Sequence, residues 1–411
     1  MPLTIDRRRR RYILGGCAAA VASAGAWRYW PEQGISNPCL GSLPPQLAAH
    51  ELVQAAWDGV DPAQVWDCHT HLVGTGDSSS GAWINPAMLS PLHPVQYAQR
   101  LFYLNAACTS SGSVDESYVA RLRQLMQDMR PGAKVLLLAF DRAYRVEGAL
   151  SLAGSTFYMP DSHAQRVAQA FPQYFEWAAS IHPYRNDAVA ALEQAKRSGA
   201  RAIKWLPGAM GIDPALPRCD AFYAAMARLN VPLLTHAGME GAVSADQQDF
   251  GNPLKLRRAL DHGVRVVVAH CASMGTDRDL DRGANAPLSD SFALFTRLMD
   301  DARYTGRVFG DISAMTQLNR AGPALASVIE RGEWHARLLN GSDYPLPGIM
   351  PLYSVDYMVE HDFIDAAAAP VLTAIRRHNP LLFDFVLKRN LHANGKRLAA
   401  GVFETKRFFT A

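Results

Sequence analysis

Several features that would settle a class quickly are missing from this chain. No Cys-x-x-Cys pair occurs. The six cysteines, Cys17, Cys39, Cys68, Cys108, Cys219 and Cys271, are scattered singly. Neither a cysteine zinc site nor a disulfide framework is therefore expected, although one pair could bridge in an oxidising compartment. No Gly-x-Gly-x-x-Gly and no Gly-x-x-x-x-Gly-Lys-Ser/Thr follows an apolar run, which argues against the nucleotide-binding sheets. No repeat of roughly 20–50 residues stands out, so solenoids and propellers are excluded. No apolar run reaches the roughly 20 residues that a comfortable bilayer span needs. An excess of charge is lacking too. Residues 1–26 hold five of the 41 basic residues and one of the 38 acidic ones, which leaves the remainder at a net −1. The basic pI belongs to the leader, and no nucleic-acid partner is expected.

What is present begins with that leader. Arg7 to Arg11 form a basic block and Tyr12 to Ala26 an apolar, Ala-rich run. The pair suits an export signal, with small-residue cleavage sites at Ala22-Ser23-Ala24 and Ala24-Gly25-Ala26. Arg10-Arg11-Tyr12-Ile13-Leu14 resembles the bacterial twin-arginine motif, without its preceding Ser/Thr and following Lys. Leu14-Gly15-Gly16-Cys17 looks like a lipoprotein box, but the apolar stretch between Arg11 and Cys17 is too short for one. The expectation is a periplasmic protein, or one anchored in the inner membrane by an uncleaved leader and facing the periplasm. Residues 27–63 read as an extension packing on the barrel, Pro-rich first and helical around Leu47–Trp57.

With 411 residues, 49% hydrophobic and 19% charged, the chain can bury one large core or two modest ones. From Val65 a rhythm sets in. Strand-like runs fall at Val65–Val73, Lys134–Phe140, Phe175–His182, Ala200–Leu206, Val231–His236, Arg265–His270, Arg307–Ser313 and Leu338–Gly341. Between them lie helix-like stretches at Ala188–Arg197, Ala221–Leu229, Leu254–His262, Ser291–Tyr304 and Pro323–Arg331. Gly199 and Gly263 sit where helix C-terminal glycines do, and Asp187 and Ser291 where caps do. Eight β-then-α units imply a parallel sheet, and closure implies an α/β fold of the TIM-like (β/α)8 barrel type over 64–411, finished by helices after about Asn379. An open doubly wound sheet is the alternative.

The chemistry gathers at the ends of the apolar runs. Val65-Trp66-Asp67-Cys68-His69-Thr70-His71 ends in His-x-His, and strand alternation puts Asp67, His69 and His71 on one face. Two imidazoles from one strand end can grip one metal ion. Lys204 lies in an otherwise apolar run, while His236, His270 and Asp343 each end one. Lys204 to His236 is 32 residues and His236 to His270 is 34, so these three sit on consecutive strands, with Asp343 two strands later. A parallel barrel opens all strand C-termini on one face, so the six converge there. Arg185, after the third run, could bind an anionic substrate group or form a structural ion pair. His163, His262, His335, His361 and His378 read as surface residues, and Gly74–Ser90 as a mobile lid over the mouth.

His-x-His on strand 1, Lys on strand 4, His on strands 5 and 6 and Asp on strand 8 resemble the amidohydrolase superfamily. Asp-Cys-His-Thr-His and Gly-Ser-Asp-Tyr-Pro look most like its amidohydrolase-2 branch, over residues 64–390. The resemblance implies a metal-dependent hydrolase holding one or two divalent ions, zinc being the first expectation. His69, His71 and Asp343 would ligate the first, with His236 as ligand or close neighbour. In binuclear members the strand-4 Lys, here Lys204, is carboxylated and bridges, and His270 serves the second ion. In mononuclear members His270 would contact substrate or water. Asp343 is the natural proton carrier for an attacking water, and Asp67 an orienting neighbour. Three functions follow: hydrolysis of a C–N or C–O bond in a small-molecule substrate, decarboxylation on the same barrel, or a catalytically inactive envelope binding protein.

Overall fold

The computed structural model describes residues 34–109, 112–243, 247–283 and 285–411. The leader, on which the export and anchor expectations rest, lies outside them. Eight parallel strands form the centre: β1 (Trp66–His71), β2 (Lys134–Leu138), β3 (Phe175–Ala178), β4 (Ile203–Trp205), β5 (Leu233–Thr235), β6 (Val266–Val268), β7 (Val308–Asp311) and β8 (Leu338–Leu339). Each falls inside one of the eight apolar runs. They pair in chain order, β1 to β3 in one ladder and β4 to β8 in another. Single parallel bridges, Ala179 to Ile203 and Thr70 to Tyr344, join the two ladders and close the ring. This is the TIM-like barrel expected from the rhythm, not the open sheet.

Helices wrap the strands because their apolar residues recur every three or four positions. α1 is Pro94–Ala106, α2 Val114–Gln127, α3 Asp161–Ala170, α4 Ala188–Arg197, α5 Asp220–Arg228, α6 Arg257–Asp261, α7 Ser291–Asp300 and α8 Pro323–Glu330. α7 buries Ser291, Leu294, Phe295, Leu298 and Met299, one stripe of a 3.6-residue period. After β8 come α9 (Ala369–His378), α10 (Pro380–Asn390) and α11 (Lys406–Thr410). α4 and α6 are followed by Gly199 and Gly263 at φ +93° and +84°, the left-handed turn that ends a helix. The caps differ from expectation. Asp290, not Ser291, caps α7 by accepting from the Ala293 N–H at 2.9 Å. Asp187 makes no cap bond, because its carboxylate is taken by Arg185 at 2.7 Å.

A large apolar cluster lies between strands and helices, and residues Leu43, Val53, Trp57 and Val60 of the N-terminal stretch pack into it. A second fills the barrel itself: Trp66, Cys68, Leu136, Leu138, Ala178, Ala202, Leu234, Val267 and Leu339. Phe408 and Phe409 of α11 belong to this cluster and plug the barrel from below. The mouth is thus the open end. Cys39 and Cys108 form a disulfide, while Cys68, Cys219 and Cys271 are free and buried.

Two further expectations are overturned. His335 is not at the surface: it is 8% exposed, with Nε2 against the Val328 carbonyl at 3.1 Å and Nδ1 accepting from Ala399 N–H at 3.2 Å. The Gly74–Ser90 segment is not a free lid. Asp115, near the start of α2, accepts from the backbones of Thr75 and Gly76 and from the hydroxyls of Ser78 and Ser80. Asp77 returns the grip by accepting from Ser113 and Val114. A buried carboxylate shared by several donors gives this segment a defined shape.

Candidate active site

β1 carries an irregularity between Asp67 and Thr70. Trp66 and Cys68 face the barrel, yet His69 and His71 also reach the mouth, because the bulge shifts the alternation. Asp67 does not share their face. It points behind the strand, and its Oδ1 accepts from the N–H groups of His69 at 3.0 Å and Ser342 at 2.8 Å. It braces two backbones and does not touch the rings. Lys388 of α10 donates to the Gly341 carbonyl at 2.6 Å, and the Asp343 N–H to the His69 carbonyl at 2.7 Å. Gly341 must be glycine, since a Cβ there would lie 2.6 Å from the His69 Cβ. These ties seat the end of β8 against β1. Asp343 and His270 both adopt left-handed backbone, φ 62° and 54°. Such residues cost of order 1–3 kcal/mol each and persist where surroundings hold them.

Five of the sequence-derived residues come together. Asp343 Oδ1 lies 3.0 Å from His71 Nε2 and 3.5 Å from His69 Nε2. Its Oδ2 lies 3.7 Å from His270 Nε2. Lys204 Nζ is 2.9 Å from His69 Nε2. All but His71 are buried. Lys204 makes no ion pair within 4.0 Å among the described residues, so its contact is the imidazole and not Asp343. His236 stands apart. Its ring centre is 5.3 Å from that of His270, but Nδ1 faces Glu240 at 3.3 Å and Nε2 the Met239 carbonyl at 3.3 Å. Arg185 is not on the cavity wall. Asp141 at 3.0 Å and Asp187 at 2.7 Å hold it in an ion-pair cluster, so the structural reading of that residue replaces the substrate-binding one.

Asp311, at the end of β7, was not singled out by sequence. It is fully buried, and Oδ2 lies 2.9 Å from His69 Nδ1. A carboxylate there fixes the Nδ1–H tautomer of His69 and turns the Nε2 lone pair toward His71 and Asp343. His270 is set the same way: Nδ1 lies 3.0 Å from the Ser313 carbonyl, a pure acceptor, which leaves Nε2 unprotonated. The signal for Asp311 was available, since it is the one acidic residue of the Arg307–Ser313 run, two positions before its end.

Two trios could hold a metal: His69, His71 and Asp343, or His69, His270 and Asp311. The first fits better. Ligand atoms about 2.0–2.1 Å from a tetrahedral ion stand roughly 3.3–3.4 Å apart, close to the 3.0 and 3.5 Å seen. The oxygens of Asp311 are already spent on His69, His270 N–H and Ser313. Electrostatics favour ligation. Burial, then Lys204, lowers His69 to about 4. Burial also lowers His236 and His270, so these imidazoles are neutral near pH 7. Burial raises Asp343, but His69, His270 and His71 outweigh it and hold the carboxylate well below its usual range. Burial lowers Lys204 against the pull of Asp311 and Asp343.

Above this cluster opens a cavity of about 350 Å³. Its wall is largely apolar, with Ile84, Met88, Phe102, Phe157, Ile349 and Leu352 among its residues. Glu240 and Arg320, on the loops after β5 and β7, also line it and were not anticipated. Loops carry no periodicity that would have marked them.

The family model described as Amidohydrolase matches residues 66–381. Among solved structures, an uncharacterised TIM-barrel protein from Bordetella bronchiseptica is 14% identical, with 75% of this chain and 98% of that chain covered and a TM-score of 0.44. A putative 2-pyrone-4,6-dicarboxylic acid hydrolase from Pseudomonas putida is 15% identical, covering 78% and 97%, at 0.41. A 5-carboxyvanillate decarboxylase from Novosphingobium aromaticivorans is 12% identical, covering 78% and 97%, at 0.42. No curated protein matches the chain.

Proposed function

The chain belongs to the amidohydrolase family, and from that premise we propose that it is an exported metal-dependent hydrolase cleaving a C–N or C–O bond, of the amide, ester or lactone type, in a small molecule. One observation carries the reading: His69 Nε2, His71 Nε2 and Asp343 Oδ1 converge under a cavity of small-molecule size, at separations suited to one tetrahedral ion. When bound there, a divalent ion, zinc by this donor set, supplies an acidified water and a Lewis acid for the scissile carbonyl.

The chain's own residues do the rest. Asp311 holds His69 in its ligand tautomer. Asp343, kept ionised, takes the proton of the attacking water at Oδ2. His270 Nε2, 3.7 Å away and unprotonated, is the next acceptor and returns the proton to the leaving group. The apolar wall excludes competing water. His236, oriented by Glu240, faces the same space. Lys204 Nζ lies 2.9 Å from the same His69 Nε2, a contact that an ion bound at that nitrogen would displace; as a carbamate Lys204 would instead offer a bridge to a second ion. Export rests on the leader and on the Cys39–Cys108 disulfide, a bond that oxidising compartments sustain.

The test is Asp343→Asn. Turnover of a panel of chromogenic esters, lactones and amides should fall by about 10²–10⁴-fold, with fold and bound zinc largely retained. A folded, metal-loaded variant of near-normal rate would end the assignment. Wild-type protein that retains no divalent metal would end the metal reading. Decarboxylation is the second reading, favoured by the buried Arg320 guanidinium, which can seat a carboxylate. Release of CO2 without incorporation of oxygen from labelled water would decide for it.

A further inference from the structure

Arg320 is a cationic side chain on the cavity wall whose burial no ion pair among the described residues explains. It is 9% exposed. No described carboxylate lies within 4.0 Å of its guanidinium. Its side-chain contact is Nη1 to the Ser273 hydroxyl at 3.4 Å, near the limit of a hydrogen bond, and its Nε is buried with no partner. Arg100, also on the wall, is by contrast satisfied by the Met88 carbonyl at 2.9 Å. Glu240, a carboxylate on the same wall, spends Oε1 on the N–H groups of Ala242 and Val243 and Oε2 on His236. A buried guanidinium without an ion pair is costly, and its planar fork matches a carboxylate through two parallel N–H···O bonds. Across the cavity, Gln99 Oε1 of α1 is likewise buried without a donor. Two unmet polar groups beside a largely apolar wall describe a guest that carries polar groups on an apolar body. Of the charged residues lining the cavity, three are cationic (Arg100, Lys204, Arg320) and two are carboxylates (Glu240, Asp343). Anions are therefore favoured even before a divalent ion is bound.

We propose that the substrate is a small apolar molecule bearing a carboxylate, and that Arg320 clamps this carboxylate while the scissile group reaches Asp343. Arg320 is then a specificity-determining residue. The proposal rests on the functional reading in taking the cavity as the substrate site, but not on the metal or on hydrolysis. In the hydrolase the carboxylate is a spectator that fixes orientation.

Binding is measured by titration calorimetry with straight-chain acids from butanoate to decanoate and with their primary amides. Each is titrated into wild type, Arg320→Gln and Arg320→Lys, both metal-loaded and chelator-stripped. The expected result is that stripped and loaded wild type prefer the best-fitting acid over its amide by about ten- to hundredfold, as a charge-assisted bidentate contact provides. Arg320→Gln should abolish the preference and Arg320→Lys restore part of it, with circular dichroism spectra unchanged. If Arg320→Gln does not fold, Arg320→Lys alone must weaken the preference, since a point charge replaces the fork. The idea is overturned if wild type shows no preference, or if the preference survives Arg320→Gln. It is also overturned if the preference vanishes on stripping the metal, which would mean that the acid sits on the ion. Failure of the hydrolase reading would leave the stripped-protein result intact.

Discussion

Replacing Asp311 with Asn asks whether the carboxylate beneath His69 sets the state in which that imidazole can bind a metal. Oδ2 takes the His69 Nδ1–H at 2.9 Å. Oδ1 takes the His270 N–H at 3.1 Å, the Ser313 N–H at 2.9 Å and the Ser313 hydroxyl. Asn keeps one oxygen. Three donors converge on Oδ1, so the amide oxygen stays there and its NH2 group turns to His69. Two donors then face each other until His69 moves its proton from Nδ1 to Nε2. The switch relieves the clash, so the fold loses little. It also puts a hydrogen on the atom that faces His71 and Asp343. Losing such a partner of a ligating histidine costs about 10–100-fold in metal affinity, or about 1.4–2.7 kcal/mol. Asp311→Ala should behave differently. It strands four donors at about 1–3 kcal/mol each, and should unfold or nearly unfold the chain. The assay is competition for zinc against a chelator of known affinity, with circular dichroism as the fold control. A folded Asp311→Asn variant that binds zinc as wild type does would refute the tautomer argument.

Three other expectations are independent of that one. His182 is buried and neutral, with Nε2–H donating to the Met210 carbonyl at 3.0 Å and Nδ1 accepting from Tyr184 N–H at 3.1 Å. Burial lowers it to about 3, against an opposing push from Met210. Below the unfolded value near 6.5 the unfolded chain binds a proton that the folded chain refuses. Stability is therefore lost as pH falls from about 6.5 toward 3, on the order of 2 kcal/mol between pH 7 and 5. Denaturant unfolding of His182→Asn at the two pH values should lose that much less, and an equal loss in both proteins would sink the idea. The Cys39–Cys108 bond closes a span of 69 residues, worth about 4 kcal/mol of unfolding free energy in the chain-entropy account. Cys39→Ser with Cys108→Ser should unfold at lower denaturant, and identical midpoints with and without reductant would count against the bond. Arg10→Lys with Arg11→Lys should hold the protein in the cytoplasm of a bacterial host with twin-arginine transport; unchanged fractionation would point to a general secretory signal.

The sequence by itself determined the barrel, because period and punctuation are local. A β-branched run such as Val266-Val267-Val268 followed by an Ala- and Leu-rich stripe is legible within a dozen residues. Regular spacing of Lys204, His236 and His270 then placed their backbones on neighbouring strand ends. Where each side chain points was not local. His69 meets Asp311 across 242 residues of chain, and Asp67 accepts from Ser342 across 275. The bulge in β1 turns Asp67 away from the face that simple alternation gave it, since one extra residue inverts everything beyond it. The Ser/Gly-rich segment after β1 reads as mobile until Asp115, some 40 residues on, gathers its donors. His236 ends its strand as expected, yet Glu240 and the Met239 carbonyl decide which way its nitrogens face. Arg320 and Glu240 sit on loops, where no period distinguishes a residue in the cavity from one in water. Only packing tells them apart, because burial makes an unpaired guanidinium expensive and solvent makes it ordinary.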